Sequence, residues 1–91
     1  MVLKQGGTLS SPLFTVRYVK SYDLRYAVVA PKTVAKAAVM RNSLRRKGYR
    51  ALENKGLNRG IYIFFYKKEA KYAPYEELQA DILRLISKIR F

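Results

Sequence analysis

The sequence contains no cysteine, no histidine and no tryptophan, and only six acidic residues among 91. Each absence closes off chemistry. Without cysteine there is no thiol nucleophile and no disulfide framework. Without histidine there is no imidazole base and no zinc site of the usual ligand types. Metalloprotease, zinc-finger and Ser-His-Asp chemistry are excluded with them. The scarce carboxylates, Asp23, Glu53, Glu69, Glu76, Glu77 and Asp81, are spread along the chain, which reads as turns and helix ends and not as a two-metal cluster. No apolar run approaches the ~18 residues of a bilayer span. Met1–Ser11 holds one lysine and no apolar core, so it does not read as a signal peptide. The missing cysteine fits a reducing compartment, and a cytoplasmic location is expected.

What the sequence does contain is positive charge and tyrosine. Nineteen Lys and Arg give a formal net charge of +13, and eight Tyr and four Phe accompany them. Hydrophobic residues make up 49%, enough for a packed core. The length favours one small domain. A folded domain with this charge repels itself, and a polyanion relieves that repulsion. Nucleic acid is the first candidate partner and an anionic membrane surface the second.

Residues 1–11, with Gly6-Gly7 and Ser10-Ser11, read as a flexible leader, and residues 12–91 as a single folded domain. From Leu13 to Val19, Phe14, Val16 and Tyr18 alternate with Thr15 and Arg17, the pattern of a half-buried strand. A turn at Lys20–Asp23 leads to a second strand over Leu24–Ala30, expected to pair with the first as an antiparallel hairpin. After Pro31 the period changes. Ala37, Met40, Leu44, Gly48 and Ala51 line one helix face, which places a helix over Thr33–Glu53, closed off by Asn54, Gly56, Asn58 and Gly60. Gly48 weakens that helix by roughly 1 kcal/mol relative to Ala, and a close approach to a sheet would explain it. Gly60–Tyr66, apolar on both faces, reads as a central strand. Pro74 opens a last helix with Leu78, Ile82, Leu85 and Ile89 as its buried stripe. The expected fold is α+β, ordered β-β-α-β-α, with a βαβ crossover whose hand the sequence does not fix.

Charge is concentrated on the first helix. Lys32, Lys36, Arg41, Arg45, Arg46, Lys47 and Arg50 fall within residues 32–50, which contain no acid. Arg41 with Arg45, and Arg46 with Arg50, are like charges four apart, which repel by roughly a few tenths of a kcal/mol. A helix arranged for stability alone would interleave Glu there. The pattern suits a surface that grips phosphate oxygens, with Asn42 reaching a sugar or base edge. The strands argue against a helix-turn-helix DNA reader, so DNA is not expected. Strand aromatics suit stacking on unpaired bases, although core packing is the simpler role for Phe14, Phe64 and Phe65. The helix's small apolar face, Ala37, Met40, Leu44 and Ala51, has little to insert into a membrane.

The segment Lys32-Thr33-Val34-Ala35-Lys36-Ala37-Ala38-Val39-Met40-Arg41-Asn42-Ser43-Leu44-Arg45-Arg46, with Arg50 four residues on, resembles the signature helix of the bacterial ribonuclease P protein component. Leu24–Ala30, Ile61–Tyr66 and Tyr75-Glu76-Glu77-Leu78 resemble its flanking elements, so the likeness spans about residues 13 to 90. The chain departs from the family at three places. It reads as a short form lacking the family's basic N-terminal helix and basic C-terminal tail, and Ser43 stands where a third basic residue is common.

The resemblance implies a left-handed βαβ crossover and a ribosomal-protein-like sheet with helices packed on it. It also implies the protein subunit of an endoribonuclease whose RNA is the catalyst. Its partners would be ribonuclease P RNA and the 5′ leader of precursor tRNA, and it would be a monomer apart from that RNA. Lys32, Lys36, Arg41, Asn42, Arg45, Arg46 and Arg50 would contact RNA, and Phe14, Tyr18 and Tyr62 would line the leader cleft. No catalytic residue, metal ligand or cofactor is expected of the chain itself, and Mg2+ is expected through the RNA. The competing readings are a structural, ribosomal-protein-like RNA binder and an RNA chaperone, neither with a processing role.

Overall fold

The computed structural model describes residues 6–53 and 57–89. Its elements are β1 (Gly6–Ser10), β2 (Phe14–Val19), β3 (Leu24–Val29), α1 (Ala38–Leu52), β4 (Gly60–Tyr66), a 3-10 turn at Lys68–Ala70, and α2 (Tyr75–Lys88). The fold is a small α+β domain with a four-stranded sheet in the order β1-β2-β4-β3. β4 is central, as its two apolar faces predict. It pairs antiparallel with β2 and parallel with β3, so β3, α1 and β4 form the expected βαβ unit.

That order overturns the expected hairpin between the first two sequence strands. β2 and β3 are not neighbours, because β4 lies between them and satisfies the inner edges of both. The hairpin partner of β2 is β1, in a stretch expected to be leader, with Gly6 opposite Val19 and Ser10 opposite Thr15. Glycine makes the second position of β1 work. A Cβ on Gly7 would lie 2.8 Å from the Tyr18 hydroxyl, so the bare backbone leaves room for that ring. Residues 1–5 of the leader, the Asn54 and Gly56 helix stops and the final Arg90-Phe91 lie outside the described residues.

Strand parity divides the sheet into two faces. Phe14 and Val16 on β2, Val28 on β3, and Tyr62, Phe64 and Tyr66 on β4 are buried. They join Leu44, Ala51 and Leu52 of α1 and Leu78, Ile82 and Leu85 of α2 in one core, so both helices cover the same face. At roughly 1.5–3 kcal/mol per buried large side chain, this layer is the main stabilising term. Phe14 packs edge-on to Phe64 and against Tyr66, with ring centroids 6.4 and 4.7 Å apart. The other face carries Thr15, Arg17 and Val19, Arg25, Ala27 and Val29, and Ile61, Ile63 and Phe65. No helix among the described residues covers it, and Ile61 is 38% exposed.

α1 rests on the sheet through Gly48. A Cβ there would come within 2.7 Å of a Val28 methyl carbon and 3.3 Å of the Tyr66 hydroxyl. The same Tyr66 hydroxyl donates a 2.6 Å hydrogen bond to the Leu44 carbonyl. The helix begins five residues later than expected, at Ala38 instead of Thr33. Val34 and Ala35 are buried in the preceding connection, where both N–H groups donate to the Pro31 carbonyl. α2 starts after Pro74, with Glu76 and Glu77 in its first turn and Lys88 in its last, the order the helix dipole favours.

Candidate nucleic-acid interface

The outer face of α1 is built by periodicity. Asn42, Arg46 and Arg50 recur every four residues and form one exposed ridge. Each stands two residues, about 200° round the helix, from Leu44, Gly48 or Leu52, all buried. The core therefore fixes the direction in which the ridge points. Arg45 is exposed on the flanking ridge beside the half-buried Tyr49, whose ring centroid lies 6.0 Å from that of Tyr26. Lys47 is exposed on the other flank. Lys32 and Lys36 are exposed too, but on the connection that precedes the helix and not on the helix itself.

Arg41 is half-buried at the start of the helix. Its guanidinium turns back and donates to the carbonyls of Ala35 and Lys36, at 3.1 and 2.6 Å. It fastens the entry of α1, whereas Asn42, Arg45, Arg46 and Arg50 are exposed on the helix. The helix start has neither a side-chain cap nor an acid in its first turn. Its free N–H groups and positive dipole end thus add to the positive potential of this side. Among the described residues one salt bridge is found, Arg84 with Asp81 on α2, so the cations of α1 are not neutralised from within.

The three aromatics expected to line a cleft do not do so together. Phe14 and Tyr62 are 0% and 1% exposed, because their strand parity points them under the helices. Tyr62 donates instead to the Asn58 carbonyl at 2.7 Å, and burial raises its pKa. Tyr18 shares that parity but lies half-buried near the sheet edge over Gly7. The face that no helix covers, among the described residues, is the opposite one. An open groove of about 560 Å³ there is lined by Thr8, Arg17, Val19, Ile61 and Ile63, together with Gly6, Gly7 and Tyr18. Arg17 and Arg25 are exposed beside its apolar floor. The signal for these arginines was present in the sequence, since both stand at outward positions of strands whose inward positions are apolar.

The carboxylates show no metal-binding arrangement: among the described residues no three acidic groups come together. Asp81, one of the carboxylates expected at turns and helix ends, is 3% exposed. Its Oδ2 accepts from the Ser11 hydroxyl and from the Leu13 N–H at 3.1 Å, and its Oδ1 from Arg84 at 2.8 Å. The Ser11 hydroxyl in turn accepts from the Phe14 N–H at 3.2 Å. This buried network ties the β1–β2 turn to α2, and it is structural. Among the described residues no helix is long and apolar enough to cross a membrane.

The family model for ribonuclease P matches residues 1–90. The chain belongs to the ribonuclease P protein component family. The ribonuclease P protein component of Thermus oshimai is 33% identical over 86 residues, covering 94% of this chain and 56% of its own length. That of Thermus scotoductus is 30% identical over 86 residues, covering 94% and 52%. This ribonuclease P family chain thus spans about half the length of those curated relatives. Among solved structures, the Thermotoga maritima RNase P protein superposes with a TM-score of 0.84 at 20% identity, over 99% of this chain and 89% of that one. The Staphylococcus aureus RNase P protein gives 0.70 at 19%, over 97% and 86%. These likenesses extend to the fold of the whole described domain.

Proposed function

We propose that this chain is the RNA-positioning subunit of a ribonuclease P holoenzyme that acts in the cytoplasm on the 5′ end of precursor tRNA. The observation that carries the reading is the exposed ridge of Asn42, Arg46 and Arg50, unneutralised among the described residues, flanked by Arg45 and seated on the core through Gly48 and Leu44. Arginine forks on a fixed helix suit the phosphates of a folded RNA. The catalytic RNA is the partner assigned to this ridge. The bare sheet face takes the place given earlier to Phe14, Tyr18 and Tyr62: its apolar floor suits unpaired bases of a 5′ leader, with Arg17 and Arg25 placed for phosphates.

The protein's part in the reaction is positional. Its cations lessen the repulsion between catalytic RNA and substrate and so favour magnesium binding by the RNA, while cleavage stays on the RNA and its metals. The carboxylate arrangement supports this division, because Asp81 is committed to Ser11, Leu13 and Arg84. The test is to add the chain to a bacterial ribonuclease P RNA and precursor tRNA at low magnesium. Stimulated 5′ cleavage is expected. Binding with no gain in cleavage would instead assign a structural, ribosomal-protein-like role.

A further inference from the structure

β3 and β4 are parallel, with Val29 opposite Phe65, so the connections that follow them leave the same end of the sheet side by side. The first connection carries the exposed Lys32 and Lys36, and the second carries Lys67, Lys68 and Lys71. The second connection is held in place. Lys67 donates its N–H to the Leu13 carbonyl at 2.9 Å, Ala70 donates to the Lys67 carbonyl at 3.0 Å, and Ala70 is 0% exposed in the core. Beyond that anchor stands Tyr72, 80% exposed, with the Lys71 Nζ 5.3 Å from its ring centroid. Among the described residues none of these five lysines has a carboxylate at ion-pair distance, although Glu69 belongs to the same turn.

We propose that the β4–α2 connection is a second RNA-contact surface, in which Tyr72 stacks on an unpaired base while Lys68 and Lys71 hold the neighbouring phosphates. The proposal rests on the RNA-binding reading above and extends it from α1 to the connection that leaves the central strand. An exposed ring attended by a cation, on an ordered turn, offers stacking and charge together, the combination that single-stranded RNA uses. Lys32, leaving the adjacent strand, joins this surface to the entry of α1.

The experiment measures binding of the full chain to a folded bacterial ribonuclease P RNA across a range of salt concentrations. It compares wild type with K68Q/K71Q, Tyr72→Ala, Tyr72→Phe and, as a reference, R46Q/R50Q, each first checked for an unchanged unfolding midpoint. K68Q/K71Q is expected to lower the log–log salt slope by roughly 1.4–1.8, at 0.7–0.9 per phosphate. Tyr72→Ala is expected to weaken binding at least about 5-fold with the slope kept, and Tyr72→Phe to bind like wild type. An unchanged slope in K68Q/K71Q, or unchanged affinity in Tyr72→Ala, overturns the second surface while R46Q/R50Q still reports the first. Loss of K68Q/K71Q binding to polyglutamate, with RNA binding intact, would assign the surface to an acidic protein and also overturn it. A wild-type chain that does not bind the RNA removes both readings.

Discussion

The two helices lie on the same face of the same sheet, yet they follow opposite rules. α2 is arranged for stability. Acids open it, a lysine closes it, Leu78, Ile82 and Leu85 fill the core, and its one buried charge is fully partnered. α1 violates most of these rules. It has no acid, no capping side chain, a glycine in its interior, and like charges four residues apart on its outer ridge. Its packing against Val28, Tyr66 and the core supplies what its surface does not. The contrast separates a helix that holds the domain together from one whose outer face the domain itself does not use.

The comparison can be broken most forcefully at Asp81. Asp81→Ala removes the shared acceptor of Ser11, Leu13 and Arg84, and about 3 kcal/mol of stability should go with it, read by denaturant unfolding. A loss under about 1 kcal/mol would show that α2 is not fastened in this way. Gly48→Ala comes next. Overpacking against Val28 costs about 1–3 kcal/mol, and the gain in helix propensity offsets about 1 kcal/mol of it. In a double-mutant cycle Gly48→Ala should cost less in a Val28→Ala background than in wild type, and an equal cost in both backgrounds would rule out close contact as the reason for the glycine.

Tyr66→Phe should cost about 1 kcal/mol at neutral pH by removing the bond to the Leu44 carbonyl. It also carries a pH signature. Burial, and secondarily Tyr75, raise the Tyr66 pKa far above the ordinary value. The folded state therefore favours the neutral phenol. That stability is fully present below the unfolded pKa of about 10 and is lost as pH rises from there through the folded value. Wild type should lose its advantage over Tyr66→Phe above that pH, and a constant difference would contradict the burial of the hydroxyl. The smallest stability effects compare the surfaces directly. Glu76→Gln with Glu77→Gln should cost α2 about 0.5 kcal/mol through the dipole. R46Q/R50Q should leave stability unchanged or raise it by about 0.3 kcal/mol, because the repulsion is relieved.

Much of this was legible in the residues. The double-faced apolar run Gly60–Tyr66 announced a central strand, and the stripe from Leu78 to Ile89 announced the core face of α2. Asp81 could have been read as buried, because it stands three residues after Leu78 and four before Leu85, within that stripe. Strand order was not legible: the short Lys20–Asp23 turn favours a local hairpin, and only the long-range pairing of β4 with both β2 and β3 removes it. β1 escaped notice because Gly6 and Gly7 give no alternation to read, their cover coming from Val19 and Tyr18 across the pair. For the site, residue type located the basic helix, but alternation decided which aromatics were available, and Phe14 and Tyr62 share the inward parity of Val16 and Phe64. The return of Arg41 to the Ala35 and Lys36 carbonyls depends on where the helix begins, which Val34 and Ala35 determine by being buried.

The division of labour between the helices is tested most directly by the salt dependence of binding to ribonuclease P RNA, measured for wild type and R46Q/R50Q. The ridge predicts a log–log slope shallower by roughly 1.4–1.8 in the variant, with an unfolding midpoint no lower than that of wild type. An equal slope in both proteins would show that the outer face of α1 does not meet the RNA.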